Sequence, residues 1–172
     1  MTHDSQTLRT EWASDPPSDW DAYVCAHANG HAFQTAAAVM IGSRAFGLPV
    51  YFVTARGDGG RLRGVLPLVE QTLIPWTRCL VSLPFCTYGG PLPHDEEALG
   101  AFVQAGEQNS QQRHVARLIV RHVGELPSIP YPPSLDKVSM VLPLPDTTEE
   151  LARRLGSKLR SQIKRSDREK PG

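Results

Sequence analysis

Apolar and polar positions along the chain change period several times, and each change marks an element. After a polar opening that includes Asp15-Pro-Pro17, Trp20, Tyr23, Val24 and His27 recur at helical spacing. Ser18 stands where a cap would, Asp19 and Asp21 fall in the first turn, and Asn29-Gly30 supplies the stop. A second helix is expected over Ala36–Phe46, capped by Thr35 and ended by Gly47 with Pro49 beyond it. Residues 1–17 have no period and read as a flexible lead.

The period then shortens to that of strands. Val50–Arg56 and Leu62–Val69 flank Gly57-Asp-Gly-Gly60, the composition of a hairpin. Cys79–Leu83 forms a third strand, Asp95–Gln112 an amphipathic helix with Leu99, Phe102, Val103 and Gly106 inward, His114–His122 a fourth strand and Lys137–Leu142 a fifth. The Pro-rich stretch from Pro127 to Pro133 connects the last two as a stiff linker. The expected order is α-α-β-β-β-α-β-β: an α/β domain over 18–146 with a mixed, mostly antiparallel sheet and helices on its faces.

The chain is organised around residues 78–92. There an apolar strand stops abruptly at Pro84, which cannot donate to a ladder, and enters the loop Phe85-Cys-Thr-Tyr-Gly-Gly-Pro91. Loops at the ends of buried strands carry binding groups, and the Gly89-Gly90 pair permits backbone angles closed to other residues and a close approach by a ligand. Two readings stand. The turn is either plain, with Tyr88 as its hydrophobic plug, or a ligand-facing loop in which Tyr88, Gly89 and Gly90 contact substrate.

Beyond Thr147-Thr-Glu-Glu150, spaced as a capping box, Leu151, Leu155, Leu159 and Ile163 form one helical stripe, and Gly156 is a natural break. At about 100° per residue, Arg153, Arg160, Lys164 and Arg168 gather on the opposite face. The formal net charge of zero conceals this segment: residues 153–172 hold eight Lys and Arg against two acids, so the remainder is acidic. A basic block of this kind is either a solvated face or an arm for an anionic partner, which makes Arg160 and Lys164 candidate substrate-binding residues.

Composition narrows the class. With 172 residues, 40% hydrophobic and 21% charged, the chain suits one globular domain. Three cysteines, Cys25, Cys79 and Cys86, show no Cys-x-x-Cys spacing, which fits free thiols in a reducing compartment. The opening residues lack a signal-peptide pattern and no 18 apolar residues run together, so a cytoplasmic chain without a membrane span is expected. The six histidines are scattered, with no metal-ligand spacing among them. No Walker loop, nucleophile elbow or His-Glu-x-x-His sequence occurs. The acids of Asp95-Glu-Glu97 read as compensation of a helix dipole, and Cys86 as an inert thiol.

Several segments together resemble a known family. Trp20 to Tyr23, Ala32-Phe-Gln34, Ala45-Phe-Gly47, Gly64-Val-Leu-Pro-Leu68, the Leu80–Gly90 run and Lys158–Arg165 follow the order and spacing of the N-terminal half of FemAB-like proteins. The match, over about residues 18–170, is nearest to the FemAB-like proteins associated with exosortase (PEP-CTERM) systems. One departure is Ala38, where the family often carries Trp.

The resemblance implies a GNAT-like domain, an acyl or aminoacyl transfer reaction, and a cleft between two such domains. It implies acyl-CoA or aminoacyl-tRNA as co-substrate, a cell-envelope or exopolysaccharide precursor as acceptor, and a second GNAT-like domain following 147–172 as partner. Under it, Tyr88, Gly89 and Gly90 line the cleft, while Arg160 and Lys164 help hold tRNA or an anionic precursor. A GNAT pyrophosphate loop, with Gln or Arg, two residues, Gly, one residue and then Gly or Ala, cradles its cofactor at a helix start. Arg56-Gly-Asp-Gly-Gly-Arg61 fails that pattern at its last position and joins two strands, so this half alone is expected to be inactive. The alternative is a non-catalytic binding module for an anionic glycan or nucleotide-linked ligand.

Overall fold

The computed structural model describes residues 8–73, 76–122, 126, 129–134, 140 and 142–168. The chain divides into two compact units, Met1–Leu135 and Asp136–Gly172.

The first unit is built on β1 (Arg9–Ala13), α1 (Trp20–Ala26), α2 (Ala36–Phe46), β2 (Val50–Arg56), β3 (Leu62–Leu73), β4 (Thr77–Val81), β5 (Leu92–Pro93), α3 (Glu96–Gln112) and β6 (Arg117–Ile119). The strands lie in the order β1-β2-β3-β4-β6, with β5 on β3. All pairs are antiparallel except β4 and β6, which run parallel with Leu80 opposite Leu118. A parallel pair needs a crossover, and α3 is that crossover. The mixed, mostly antiparallel α/β architecture expected from the periodicity is therefore present.

Period-two alternation sends successive side chains to opposite faces, and both faces are covered. Phe52, Val65 and Val69 join Trp20, Val24 and Val39 of α1 and α2 in one core, with the Trp20 and Phe52 rings edge to face at 4.8 Å. Val53, Ala55, Leu66 and Leu68 join Ala98 and Phe102 of α3 in the other. Gly64 permits this second contact, since a Cβ there would meet the Phe102 ring at 2.8 Å. Pro67, without an N–H to offer, lies between the β3 residues paired with β5 and those paired with β4.

The opening segment departs from expectation. Residues 9–13, read as part of a flexible lead, form an edge strand in register with β2, Trp12 opposite Val53. Only Trp12 supplies a large apolar side chain there, packed edge-on against Tyr51 at 5.8 Å, and the other large side chains are polar, as suits an exposed edge. The short β5 was also unforeseen, and the strand expected over 114–122 is regular only at Arg117–Ile119. The strand expected over Lys137–Leu142 falls mostly outside the described residues; Met140 and Leu142 are exposed in irregular backbone.

The second unit contains α4 (Thr148–Arg154) and α5 (Ser157–Arg168). Thr147 caps α4 by accepting from the Glu150 N–H at 3.2 Å, and the helices separate at Leu155-Gly156 as the sequence indicated. The unit boundary at 135/136 precedes the expected one at 146/147. Among the described residues no helix is long and apolar enough to cross a membrane.

Candidate functional site

The connection from β4 to α3 leaves the carboxyl end of the parallel pair, the usual place for ligands on sheets with parallel strands. Beyond Val81, the Ser82 N–H donates to the Ile119 carbonyl at 2.9 Å, and the Ser82 hydroxyl accepts from the Arg121 N–H at 2.8 Å. Leu83 then adopts a φ of +43°, which costs a non-glycine residue about 1–2 kcal/mol. The Arg121 guanidinium offsets this by donating to the carbonyls of Pro84, at 2.7 Å, and Cys86, at 3.0 Å.

The far end of the loop is held from the opposite direction. Gln34, buried in the short 3₁₀ turn Ala32–Gln34, donates from its side-chain amide to the Gly90 carbonyl at 2.8 Å. Its own carbonyl accepts from the Trp20 indole at 2.8 Å, and its side-chain oxygen from the His31 N–H at 3.1 Å. The Gly89 N–H donates to the Arg121 carbonyl at 3.1 Å.

Gly89 and Gly90 are buried beneath their own chain. Neither has φ in the left-handed region, contrary to the expectation that they supply special backbone angles. What they supply is size: a Cβ on Gly89 would lie 2.3 Å from the Leu83 side chain, and one on Gly90 would lie 2.9 Å from the Arg121 carbonyl. Tyr88 is half-buried, with His31 edge-on to its ring at 4.5 Å. Of the three expected cleft residues, Tyr88 alone presents a side chain toward a surface.

Behind the loop a small apolar recess of about 50 Å³ lies between Val39, Gly42 and Ser43 of α2 and Leu83, Phe85 and Cys86. It can take a few carbon atoms and holds no charged group. Burial pushes the Cys86 thiol above its ordinary range, against the weaker opposing pull of Arg121, which keeps it protonated and a poor nucleophile. Burial likewise holds the His122 imidazole below its usual value, so it is neutral at pH 7.

The α3 start closes the loop and is already occupied by anions. The Asp95 carboxylate accepts from the Ala98 N–H at 2.9 Å and pairs with Arg63, while Glu96 and Glu97 fill the first turn. Burial raises the Asp95 pKa, but the Ala98 N–H and Arg63 outweigh it and leave the carboxyl below its usual range. An incoming pyrophosphate would meet three carboxylates at this helix end. The acids do compensate the dipole, as their position in the sequence suggested.

Other ionisable groups are similarly committed. Glu70 receives the Tyr51 hydroxyl at 3.1 Å and the Arg78 Nε at 2.9 Å, and burial followed by this carboxylate raises the Tyr51 pKa. Tyr23 donates to the Leu92 carbonyl at 3.0 Å and is pushed up to about 12, first by burial and then by Asp95. Among the described residues, no three His, Cys, Asp or Glu side chains gather as a metal site would require.

Arg160 and Lys164 lie on α5, in the second unit. The Arg160 guanidinium donates to the carbonyls of Leu155, at 2.8 Å, Ala152, at 3.2 Å, and Arg153, at 3.4 Å. It closes the end of α4, which the helical projection did not reveal; Lys164 is exposed. Sequence reasoning also missed Gln34 and Arg121 as the clamps of the loop. Gln34 stood within a quoted segment without a role, and Arg121 carried no local signal. No family model matches the chain, and no curated protein matches it significantly.

Proposed function

We propose that the first unit is the N-terminal, GNAT-like half of a FemAB-like acyltransferase or aminoacyltransferase acting on a cell-envelope or exopolysaccharide precursor, and that a second GNAT-like domain supplies the donor site. The observation that carries this reading is the β4-loop-α3-β6 connection. A parallel pair bridged by a helix is the place where such a fold would hold an acyl donor, yet here Asp95, Glu96, Glu97 and the Arg63 pair occupy the helix start. That combination favours a half that shapes an acceptor cleft over one that binds acyl-CoA. In this reading Tyr88, half-buried beside His31, lines the acceptor side of the cleft, while Gly89 and Gly90 set the loop's position.

The test is a paired assay. The 172-residue chain alone is expected to turn over neither acyl-CoA nor aminoacyl-tRNA, and to acquire turnover when a C-terminal GNAT-like domain is supplied. Turnover by the chain alone, lost in Tyr88→Ala, would overturn the proposal. The alternative, a binding module for an anionic glycan or nucleotide-linked ligand, requires ligand binding without turnover whether or not a second domain is present.

A further inference from the structure

The α4–α5 segment carries two exposed surfaces, of which the family reading uses only the cationic one, through Lys164. Leu159 and Ile163 sit one turn apart on α5 and are 45% and 47% exposed. Lys158, Lys164 and Arg168, also exposed, project from the other side of the helix. Over its 12 residues α5 holds five cationic side chains against one acid, Asp167. Arg160 is turned back onto the α4 carbonyls, which fixes the elbow at Gly156, and Glu150 is paired with Arg154. The remaining surface therefore combines a short aliphatic edge with an excess of positive charge.

We propose that α5 is an interfacial helix that lies in the surface of an anionic lipid bilayer, with Leu159 and Ile163 in the boundary between headgroups and acyl chains and Lys158, Lys164 and Arg168 against the headgroups. Charge complementarity selects an anionic surface, and the aliphatic edge selects a bilayer over RNA. An RNA partner would engage the cations and leave both large aliphatic side chains in water, whereas a bilayer uses both surfaces at once. With five cations and one acid in the 12 residues 157–168, α5 is far too charged to enter a hydrocarbon core, so the helix lies in the plane of the interface. With two aliphatic anchors the association is weak and reversible, and anionic lipid controls it. The inference does not depend on the family reading.

The experiment is co-sedimentation of the full 172-residue chain with phosphatidylcholine vesicles and with vesicles containing about one-third phosphatidylglycerol, a composition chosen to vary surface charge alone. The parent is expected to sediment with the anionic vesicles only. Lys158→Gln/Lys164→Gln/Arg168→Gln should weaken this on the order of 100-fold, each cation contributing about fivefold. Leu159→Ala/Ile163→Ala, which preserves helix propensity, should weaken it at least about tenfold, and Arg44→Gln on exposed α2 should leave it unchanged. Circular dichroism establishes that each variant retains its helices. Failure of the parent to sediment with anionic vesicles, undiminished binding by the Leu159/Ile163 variant, or tighter binding to an RNA oligonucleotide than to vesicles at the same salt would each overturn the proposal.

Discussion

The side-chain amide of Gln34 donates to the carbonyl of Gly90 across 2.8 Å, and this buried bond ties the turn before α2 to the loop after β4. Replacing Gln34 by Ala leaves the Gly90 carbonyl unpaired and is expected to cost about 1–3 kcal/mol. Denaturant unfolding measures it, and a loss below a few tenths would contradict the role assigned to Gln34.

Gly89 and Gly90 respond differently to an added methyl. In Gly90→Ala the obstacle is the Arg121 backbone carbonyl, and a loss of about 1–3 kcal/mol is expected with no simple remedy. In Gly89→Ala the obstacle is the Leu83 side chain, so Leu83→Ala should recover part of the loss. A double-mutant cycle on thermal stability reads the coupling, and strict additivity would refute the contact.

Stability at low pH follows from two carboxylates. Asp95, through the Ala98 N–H and Arg63 acting against burial, and Asp19, chiefly through its hydrogen bond from Arg56, titrate in the folded state below their unfolded value of about 3.9. Between those values the unfolded chain binds more protons. The contribution is therefore complete above the unfolded value and is lost as pH falls through the folded one. Asp95 is 31% exposed and Asp19 46%, so each is held to below about 1 kcal/mol. Urea midpoints should fall below about pH 4, and Asp95→Asn should flatten that fall.

Thiol labelling should follow exposure and burial. Cys25 is exposed, Cys86 is half-buried with a raised pKa, and Cys79 is buried in β4. Labelling of the native protein by a maleimide should proceed in that order, with the Cys86 rate still rising above pH 9, past the ordinary thiol range of about 8.5. Equal rates for Cys25 and Cys86 at neutral pH would contradict the described loop.

Arg160→Gln should lower helix content by releasing the α4 end, while Lys164→Gln should leave it unchanged. Far-UV circular dichroism distinguishes the two, and equal effects would return Arg160 to the solvated face.

Elements with a strong period were legible in the sequence. The helices at Ala36–Phe46 and 95–112 and the hairpin around Gly57–Gly60 match because burial, the left-handed Gly47 helix end and turn chemistry agree locally, although the expected Thr35 cap is not made and its hydroxyl donates to the Ala32 carbonyl instead. β1 was not legible, since an edge strand needs few apolar residues and Trp12 alone gives no alternation. β5 is two residues long and exists only through its pairing with Gly64 and Val65. At the loop, Gly89 and Gly90 were visible but their reason was not: it depends on Leu83 and Arg121, and the latter is 31 residues from Gly90 in the sequence. Arg160 fell on the basic stripe by angle, yet a guanidinium long enough to reach back to α4 does not obey a projection that stops at Cβ.

The clamps around the loop also set its place in folding. Their bonds join residues 14, 39 and 56 positions apart, from Trp20 to Gln34, Ser82 to Arg121 and Gln34 to Gly90. Closing such distances carries an entropy cost that only the assembled sheet and its helices repay. The loop is therefore expected to lock late, after β4, β6 and the turn before α2 have met, and Gln34→Ala should speed unfolding more than it slows folding. Once locked, the Gly89 amide, bonded to Arg121, exchanges its hydrogen only when that assembly opens, and so reports on the whole unit from a segment that has no regular structure of its own.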